Sequence, residues 1–309
     1  GKNTCKSSSK PLTIKRNYVT GLGEVEGGEY PYITFTAESS QKFKISRDFF
    51  YLYYSVGDSD WQSVKANTEV EFGGSKGNLR LRGGNDKNKN TKGTCYDDIT
   101  TTISFTETNV KVSCKGDIRT LIDWENYATV ETKDAKFSKL FYGCSVLTSA
   151  PDLPSKNLSS NCYSSMFYGC TGLTTAPALP ATVLAKGCYA QMFYGCTNLK
   201  SAPALPATVL AESCYESMFK GCTLLDNASD LPAEKVPDNA YNEMFYGCTT
   251  LEAMPVISAK TVGAYGMESM FYGCSKLSTV SDLCINTFTV NNNYEGKNCA
   301  SMFYSCINL

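Results

Sequence analysis

The pentapeptide Met166-Phe167-Tyr168-Gly169-Cys170 is one copy of a motif that returns along the C-terminal part of this 309-residue chain. The last cysteines of successive copies are separated by five intervals of 26 residues and a final interval of 32 residues. A fixed period of this length indicates an array of equivalent structural units, so function is to be sought on a repeated surface rather than in one pocket. The other copies are residues 140–144, 192–196, 218–222, 244–248, 270–274 and 302–306.

Each 26-residue unit carries apolar residues at fixed positions after its motif cysteine. After Cys170 they are Leu173, Ala176, Leu179 and Leu184, and the same four columns are apolar in the other units. Equivalent side chains therefore point inward in every coil, and neighbouring coils bury one another's faces. The pattern Cys-x-x-Leu-x-x-Ala-x-x-Leu-Pro is typical of leucine-rich repeats.

The same pattern predicts the course of the chain within one coil. We expect a strand through the Leu-x-x-Ala-x-x-Leu segment, although prolines in that segment remove ladder N–H groups. The return leg is expected to cross near Val183-Leu184 and to end in a helical turn between Tyr189 and Phe193. The prediction is a mainly β solenoid of 26-residue coils with short helical turns.

Before the repeats, the sequence indicates short strands. Ile33, Phe35 and Ala37 alternate with threonines, and Phe43 and Ile45 continue the period of two. Many such runs separated by polar turns predict an immunoglobulin-like antiparallel β-sandwich. The predicted domain plan is a flexible lead-in at 1–9, the β-sandwich at 10–115, a junction and N-terminal cap of the solenoid at 116–139, and the leucine-rich-repeat solenoid at 140–309.

The repeated unit, MFYGCTxLxxAPxLPATxLAxxCYxx, resembles the BspA-like leucine-rich repeats of bacterial cell-surface proteins over residues 140–309. The N-terminal half resembles, more weakly, the β-sandwich modules that precede such repeats. The resemblance implies export to the cell surface, with a possible lipid anchor outside this sequence. It also implies binding of a surface protein or glycan of a host or a neighbouring cell. It brings no catalytic residues and no cofactor.

Composition narrows the function classes. The chain has no histidine, which removes the commonest general base and the commonest metal ligand. Its 29 basic and 30 acidic residues give a net charge of −1, so no nucleic-acid footprint is expected. No apolar run is long enough for a transmembrane segment. We therefore expect a protein that is not an enzyme and that needs no cofactor or metal.

Most cysteines fall in two columns of the repeat. The second column holds Cys162, Cys188 and Cys214, and Ala240 takes the next place, so this position favours a small buried residue. Spacings in a ladder do not converge on a metal as zinc ligands do, and parallel Cβ directions disfavour disulfides. We expect free buried thiols. The first column, a structural cysteine ladder, is Cys144, Cys170, Cys196, Cys222, Cys248 and Cys274.

The candidate binding surface is the column after the motif phenylalanine, which accepts a lysine and so must touch water. Exposed tyrosines provide a large contact area for recognition. The alternative is a stacking ladder in which Lys220 lays its stem along neighbouring rings. The members of this column, here called the tyrosine stripe, are Tyr142, Tyr168, Tyr194, Lys220, Tyr246, Tyr272 and Tyr304.

Two further features of the first half are candidates. Trp61, with Tyr51, Tyr53 and Tyr54 nearby, could form an aromatic patch for glycan stacking or belong to the core. The turn aspartates Asp58, Asp60, Asp97 and Asp98 could bind calcium. Cys95 and Cys114 could form a disulfide across a hairpin.

The sequence favours a non-enzymatic, surface-exposed binding or adhesion protein that works through its extended repeats. The first alternative is a carbohydrate-binding surface protein whose site lies in the β-sandwich. The second is a structural spacer that presents another domain.

Overall fold

A computed structural model gives the fold and describes residues 31–48, 52–84, 95–96, 99–132, 137–288 and 297–309. The predicted lead-in at 1–9 lies outside the described residues. The prediction of mainly β structure is confirmed, because helical segments are confined to short 3-10 turns in the part of the chain that is described. These turns are Gly74–Lys76, Ile118–Leu121 and Tyr127–Thr129.

The strands before the repeats pair antiparallel in two larger sheets and one two-stranded pair. The strands are β1 (Ile33–Thr36), β2 (Gln41–Ile45), β3 (Leu52–Val56), β4 (Gln62–Ser63), β5 (Val70–Phe72), β6 (Leu79–Gly83), β7 (Cys95–Tyr96), β8 (Ile99–Thr100), β9 (Ile103–Phe105) and β10 (Ser113–Lys115). The first sheet has the order β10-β1-β6-β3-β4, the second has the order β5-β2-β9, and β7 pairs with β8.

Aromatic side chains join the two larger sheets. The predicted alternation buries Ile33 and Phe35 of β1 and Phe43 and Ile45 of β2. The Phe105 ring of β9 lies 5.3 Å from the Phe35 ring and 6.4 Å from the Phe43 ring, measured between centroids. The sheets therefore share a core, while the immunoglobulin-like identity of the module stays a prediction.

The module before the repeats covers the first coil. The Ile103 N–H donates to the Leu140 carbonyl at 2.7 Å, and the Val112 N–H donates to the Val146 carbonyl at 3.0 Å. The Phe35 ring also lies 6.1 Å from the Phe141 ring. Part of the contact surface thus comes from residues that precede the predicted cap at 116–139.

The junction supplies the rest of this contact. Ile118 N–H donates to the Asp152 carbonyl at 3.1 Å. The junction contains the 3-10 helix Ile118–Leu121, which Asp117 caps by accepting from the Arg119 N–H at 2.9 Å. Ile118 and Leu121 are buried, so this turn packs its apolar side against the core.

The coils stack, but the expected strand is not continuous. The Leu-x-x-Ala-x-x-Leu segment is reduced to isolated parallel bridges, because prolines such as Pro177 and Pro203 lack the N–H that a ladder needs. The continuous sheet of a closed solenoid is therefore not formed by the described residues. Longer parallel pairing lies in the return leg, in β11 (Lys235–Val236), β12 (Thr261–Val262) and β13 (Thr287–Phe288).

The predicted helical turn between Tyr189 and Phe193 is wrong, because this segment is a run of turns. The N–H groups of Tyr189 and Phe193 donate to the carbonyls of Cys214 and Met218 in the next coil, at 3.0 and 2.9 Å. Between them, the Met192 N–H donates to the Tyr189 carbonyl at 3.1 Å. Since alternate N–H groups are bonded to the neighbouring coil, successive bonds within one helix cannot form.

Positive φ recurs at every fourth residue of this segment. In one coil the positions are Asn161 at 57°, Ser165 at 54° and Gly169 at 68°. This left-handed region is costly for most residues and free for glycine. The glycine of the pentapeptide is explained by this requirement, which also applies to Gly143, Gly195, Gly221, Gly247 and Gly273.

A substitution of Gly83, at the end of β6, can test how closely the first sheet packs against the junction. A Cβ added at Gly83 would lie 2.0 Å from the Leu121 carbonyl oxygen, which is backbone and cannot move aside. We expect Gly83→Ala to lower the free energy of unfolding by about 3 kcal/mol, measured by urea titration with tryptophan fluorescence.

The matched control is Gly143→Ala. A Cβ at Gly143 meets no atom within 4 Å, so this variant carries only the left-handed backbone cost at φ +74°, about 1 kcal/mol. Equal losses for the two variants would show that β6 does not pack closely on the junction.

Candidate binding surface

The motif cysteines form a ladder of weak hydrogen bonds between coils. The Cys170 thiol donates to the Phe141 carbonyl of the preceding coil, with Sγ 3.0 Å from the oxygen. In the first coil, where no earlier repeat exists, Cys144 uses the Ile103 carbonyl of β9 at 2.8 Å. The same bond to the preceding phenylalanine carbonyl, at 3.1–3.2 Å, is made by Cys196, Cys222, Cys248, Cys274 and Cys306.

These thiols are held in their neutral form. Burial raises the pKa of Cys144, Cys196 and Cys274 to about 12, well above the ordinary value of a thiol. Since the thiolate is the nucleophile and the metal ligand, protonated cysteines of this kind act as small apolar residues with a weak donor. All members of the ladder are free and buried.

The second cysteine column differs from the first because residues other than cysteine occupy it in the later coils. Cys162, Cys188 and Cys214 are buried and free, and the next coil has Ala240 with no loss of burial. In the last coil the column holds Asn298, whose side-chain amide donates to the carbonyls of Val262 and Gly263 at 3.0 and 2.8 Å. Small residues earlier in the column fit the tight stacking.

The tyrosine stripe is a row of stacked rings at the surface. Tyr168 stacks between Tyr142 and Tyr194, with centroids 4.7 and 4.4 Å away and interplanar angles of 10° and 8°. A second group of three rings follows the lysine, with Tyr272 stacked 4.5 Å from Tyr246 and 5.0 Å from Tyr304.

Lys220 separates the two groups and takes the place of a ring. Its ammonium lies 4.2 Å from the Tyr246 centroid and 6.0 Å from the Tyr194 centroid, within cation–π range. The ammonium also pairs with Glu243 at 2.7 Å. Glu243, which follows Lys220 by 23 residues, was not predicted from the sequence.

The stacking decides which part of each ring is available. Internal members such as Tyr168 and Tyr272 have both faces covered by neighbours in the stripe. The stripe therefore presents ring edges and hydroxyl groups rather than open aromatic faces. The stacking ladder is therefore observed, with a polar outer edge, while recognition of a partner by the stripe stays a prediction.

Trp61 lies in a cation–π stack at the edge of the first sheet. The Arg82 guanidinium of β6 lies 4.0 Å from the Trp61 ring and 4.2 Å from the Trp124 ring of the junction. Its Nε is buried without a hydrogen-bond partner among the described residues, and burial lowers the pKa of Arg82. Arg82 and Trp124 were missed, although the period of two places Arg82 on the face opposite the buried Leu81.

The remaining candidates of the first half do not gather into one site. Tyr54 donates to the Gln62 side chain at 2.9 Å, and Asp58 and Asp60 are exposed in the turn after β3. Cys114 is a free buried thiol. The Cys95 side chain, and Tyr51, Asp97 and Asp98, lie outside the described residues.

The repeats and the cysteine and tyrosine columns together define a leucine-rich-repeat protein. A family model described as BspA type leucine rich repeat region, with six copies, matches residues 137–252 and 163–309. These matches span more than half of the chain, so the protein belongs to the BspA-type leucine-rich-repeat family. The family suggests a role in protein interaction.

No curated protein and no solved structure matches the chain. In the segments that the structure describes, no helix has the length and apolar character needed to cross a bilayer. Within the same segments, no three cysteine, aspartate or glutamate side chains are grouped as a metal site would require.

The two cysteine columns are expected to respond differently when a cysteine is replaced by alanine. Cys196→Ala removes the thiol donor to Phe167 and leaves a small cavity, so we expect a loss of about 1.5 kcal/mol in the free energy of unfolding. Cys188→Ala is the control, because Ala240 already occupies that column. Urea titration measures both, and equal losses would contradict a structural role for the thiol donor.

Thiol labelling follows from burial. Among the described cysteines, we expect iodoacetamide to label exposed Cys284 first, while Cys144, Cys196 and Cys274 stay unlabelled up to pH 9 because burial raises their pKa to about 12. Peptide mass mapping of the native protein locates the label, and denatured protein is the control. Labelling of the ladder in the native protein would contradict its burial.

Proposed function

We propose that this protein is a non-enzymatic, surface-exposed binding protein that uses its repeats as an extended surface for a protein partner. The proposal includes an extracellular location on a bacterial cell, where the partner belongs to a host or a neighbouring cell. Membership of the BspA-type family supports the protein-interaction role. The coils are proposed to continue one another as a solenoid, and the first half to be an immunoglobulin-like module that presents it.

One observation carries this proposal: equivalent side chains stand in register along the hydrogen-bonded coils. In the tyrosine stripe, neighbouring rings lie 4.4–5.0 Å apart, and each coil is tied to the next by backbone hydrogen bonds. Tyrosine contributes a large contact area with few rotatable bonds, so ordering it on binding costs little entropy. Repetition also lets several weak contacts act together.

Carbohydrate binding through the first half is the alternative, and the geometry supports it less. Sugars stack on open aromatic faces, whereas the Arg82 guanidinium covers one face of Trp61 and one face of Trp124. Tyr32 packs near Trp61 as well, with ring centroids 5.8 Å apart. An aromatic platform for a glycan would require Arg82 to leave this stack.

The test is a binding screen of the whole chain against extracellular matrix proteins and a glycan array at physiological salt. The whole chain is needed because the first half covers the first coil. We expect saturable binding to a protein, weakened by Tyr168→Ala and Tyr272→Ala, which remove the central ring of each group of three.

Val183→Ser and Val209→Ser are the matched controls, because both valines are exposed on the return leg, away from the stripe. Equal weakening by both sets would mean that the stripe is not the contact surface. Binding to glycans alone, lost in Trp61→Ala, would favour the carbohydrate alternative, and no binding on either arm would favour the spacer.

A further inference from the structure

We propose that the tyrosine stripe is a site of oxidative cross-linking, where a peroxide-dependent one-electron oxidation joins rings of adjacent coils as dityrosine. This modification is independent of the proposed binding function. It follows from three properties of the stripe: ring spacing, access to water, and interruption at Lys220.

The spacing brings coupling atoms together. Tyr168 and Tyr194 are 4.4 Å apart and within 8° of parallel, and Tyr246 and Tyr272 are 4.5 Å apart and within 3°. Because the rings project from equivalent positions of successive coils, this spacing brings the ortho carbons of neighbouring rings within reach of each other. To form the bond, the two rings turn their outer edges toward each other and leave the parallel stack, because the new carbon–carbon bond lies in the plane of both rings.

A second tyrosine column of the same coils provides an internal comparison. Tyr163, Tyr189, Tyr215 and Tyr241 also stack, but at 5.8–6.1 Å, and at most 2% of each side chain is exposed. A phenol that loses an electron must also lose its proton, and no water reaches these buried hydroxyls. In the stripe, by contrast, Tyr142 and Tyr304 are 43% and 61% exposed, and the other four tyrosines are half-buried.

The reaction balances with hydrogen peroxide as oxidant and a haem peroxidase as catalyst. Each of two phenols gives one electron to the oxidised haem and its hydroxyl proton to water. The two ring radicals form one bond between their ortho carbons, and the hydrogens on those carbons move to the two oxygens to restore the phenols. Overall, two tyrosines lose two hydrogen atoms and one peroxide becomes two waters.

Lys220 determines which pairs can form. Its side chain lies between the Tyr194 and Tyr246 rings, so these two rings are not neighbours. Cross-links are therefore confined to two groups of three rings. The allowed pairs are Tyr142–Tyr168, Tyr168–Tyr194, Tyr246–Tyr272 and Tyr272–Tyr304.

The cysteine ladder does not compete for the oxidant. Peroxide attacks thiolates, and the ladder thiols are buried and protonated. Cys284 is exposed and would be oxidised, so Cys284→Ser is the background for the experiment.

The experiment treats the full chain with hydrogen peroxide and a haem peroxidase, then maps cross-linked peptides by mass spectrometry. We expect dityrosine fluorescence in the monomer fraction, peptides joined at the four allowed pairs, and a rise in the melting temperature, since each bond ties two coils together. Tyr168→Phe with Tyr272→Phe keeps the stacking and removes the central phenol of each group, so these links should be lost. Tyr189→Phe with Tyr215→Phe, in the buried column, should leave the yield unchanged.

A gain-of-link variant tests the interruption directly. Lys220→Tyr should join the two groups and yield new links of residue 220 to Tyr194 and to Tyr246. The proposal is overturned if dityrosine forms only between molecules, if it persists in the Tyr168→Phe, Tyr272→Phe variant, or if oxidised chains carry no link within the stripe. Binding to a protein partner is measured separately on untreated chain, so failure here leaves the proposed function standing.

Discussion

The backbone hydrogen bonds between successive coils are the constraint on which the repeat region depends. Alternate N–H groups of the turn segment, such as those of Tyr189 and Phe193, are bonded to the next coil, while the groups between them close turns within their own coil. This arrangement fixes the register at one period, forces left-handed backbone at regular places, and brings equivalent side chains into contact. The motif phenylalanines stack from coil to coil, with ring centroids 5.5 Å apart for Phe141–Phe167 and 5.7 Å apart for Phe271–Phe303, and this stack and the cysteine ladder are consequences of that register.

The first coil shows what the constraint demands when no earlier repeat is present. Its backbone donors and acceptors, and the Cys144 thiol, need partners where the preceding coil would stand. Ile103 and Val112 of the first half provide them. The two halves of the chain are thus joined by the same kinds of hydrogen bonds that join coil to coil. The first half therefore stabilises the array by capping its first coil.

Much of this could be predicted from periodicity, and the failures have physical causes. The column pattern identified the coils because the repeat depends on residue type at a fixed phase, and the same columns hold the buried thiols and the half-buried or exposed tyrosines of the stripe. The helical turn was wrong because Tyr189 to Phe193 has residues compatible with a helix, while bonds to the next coil decide its backbone. The predicted strand through the Leu-x-x-Ala-x-x-Leu segment is reduced to isolated bridges, because Pro177 and Pro203 lack the N–H groups that a continuous ladder needs. Arg82 and Trp124 were missed because they lie far apart in sequence, and only the folded junction brings them together.

The spacing of the coils also limits how the tyrosine stripe can recognise a partner. Rings held less than about 5 Å apart leave no space for a ligand between them, because an aromatic ring with its two faces in contact already fills the interval between strands. The ring faces therefore stabilise the array itself, and the groups left for a partner to contact are the hydroxyl groups, the ring edges and the Lys220–Glu243 ion pair. Lys220 is the one position in the stripe where a charged side chain replaces a ring, with three tyrosines on each side of it. It therefore distinguishes the middle of an otherwise uniform surface.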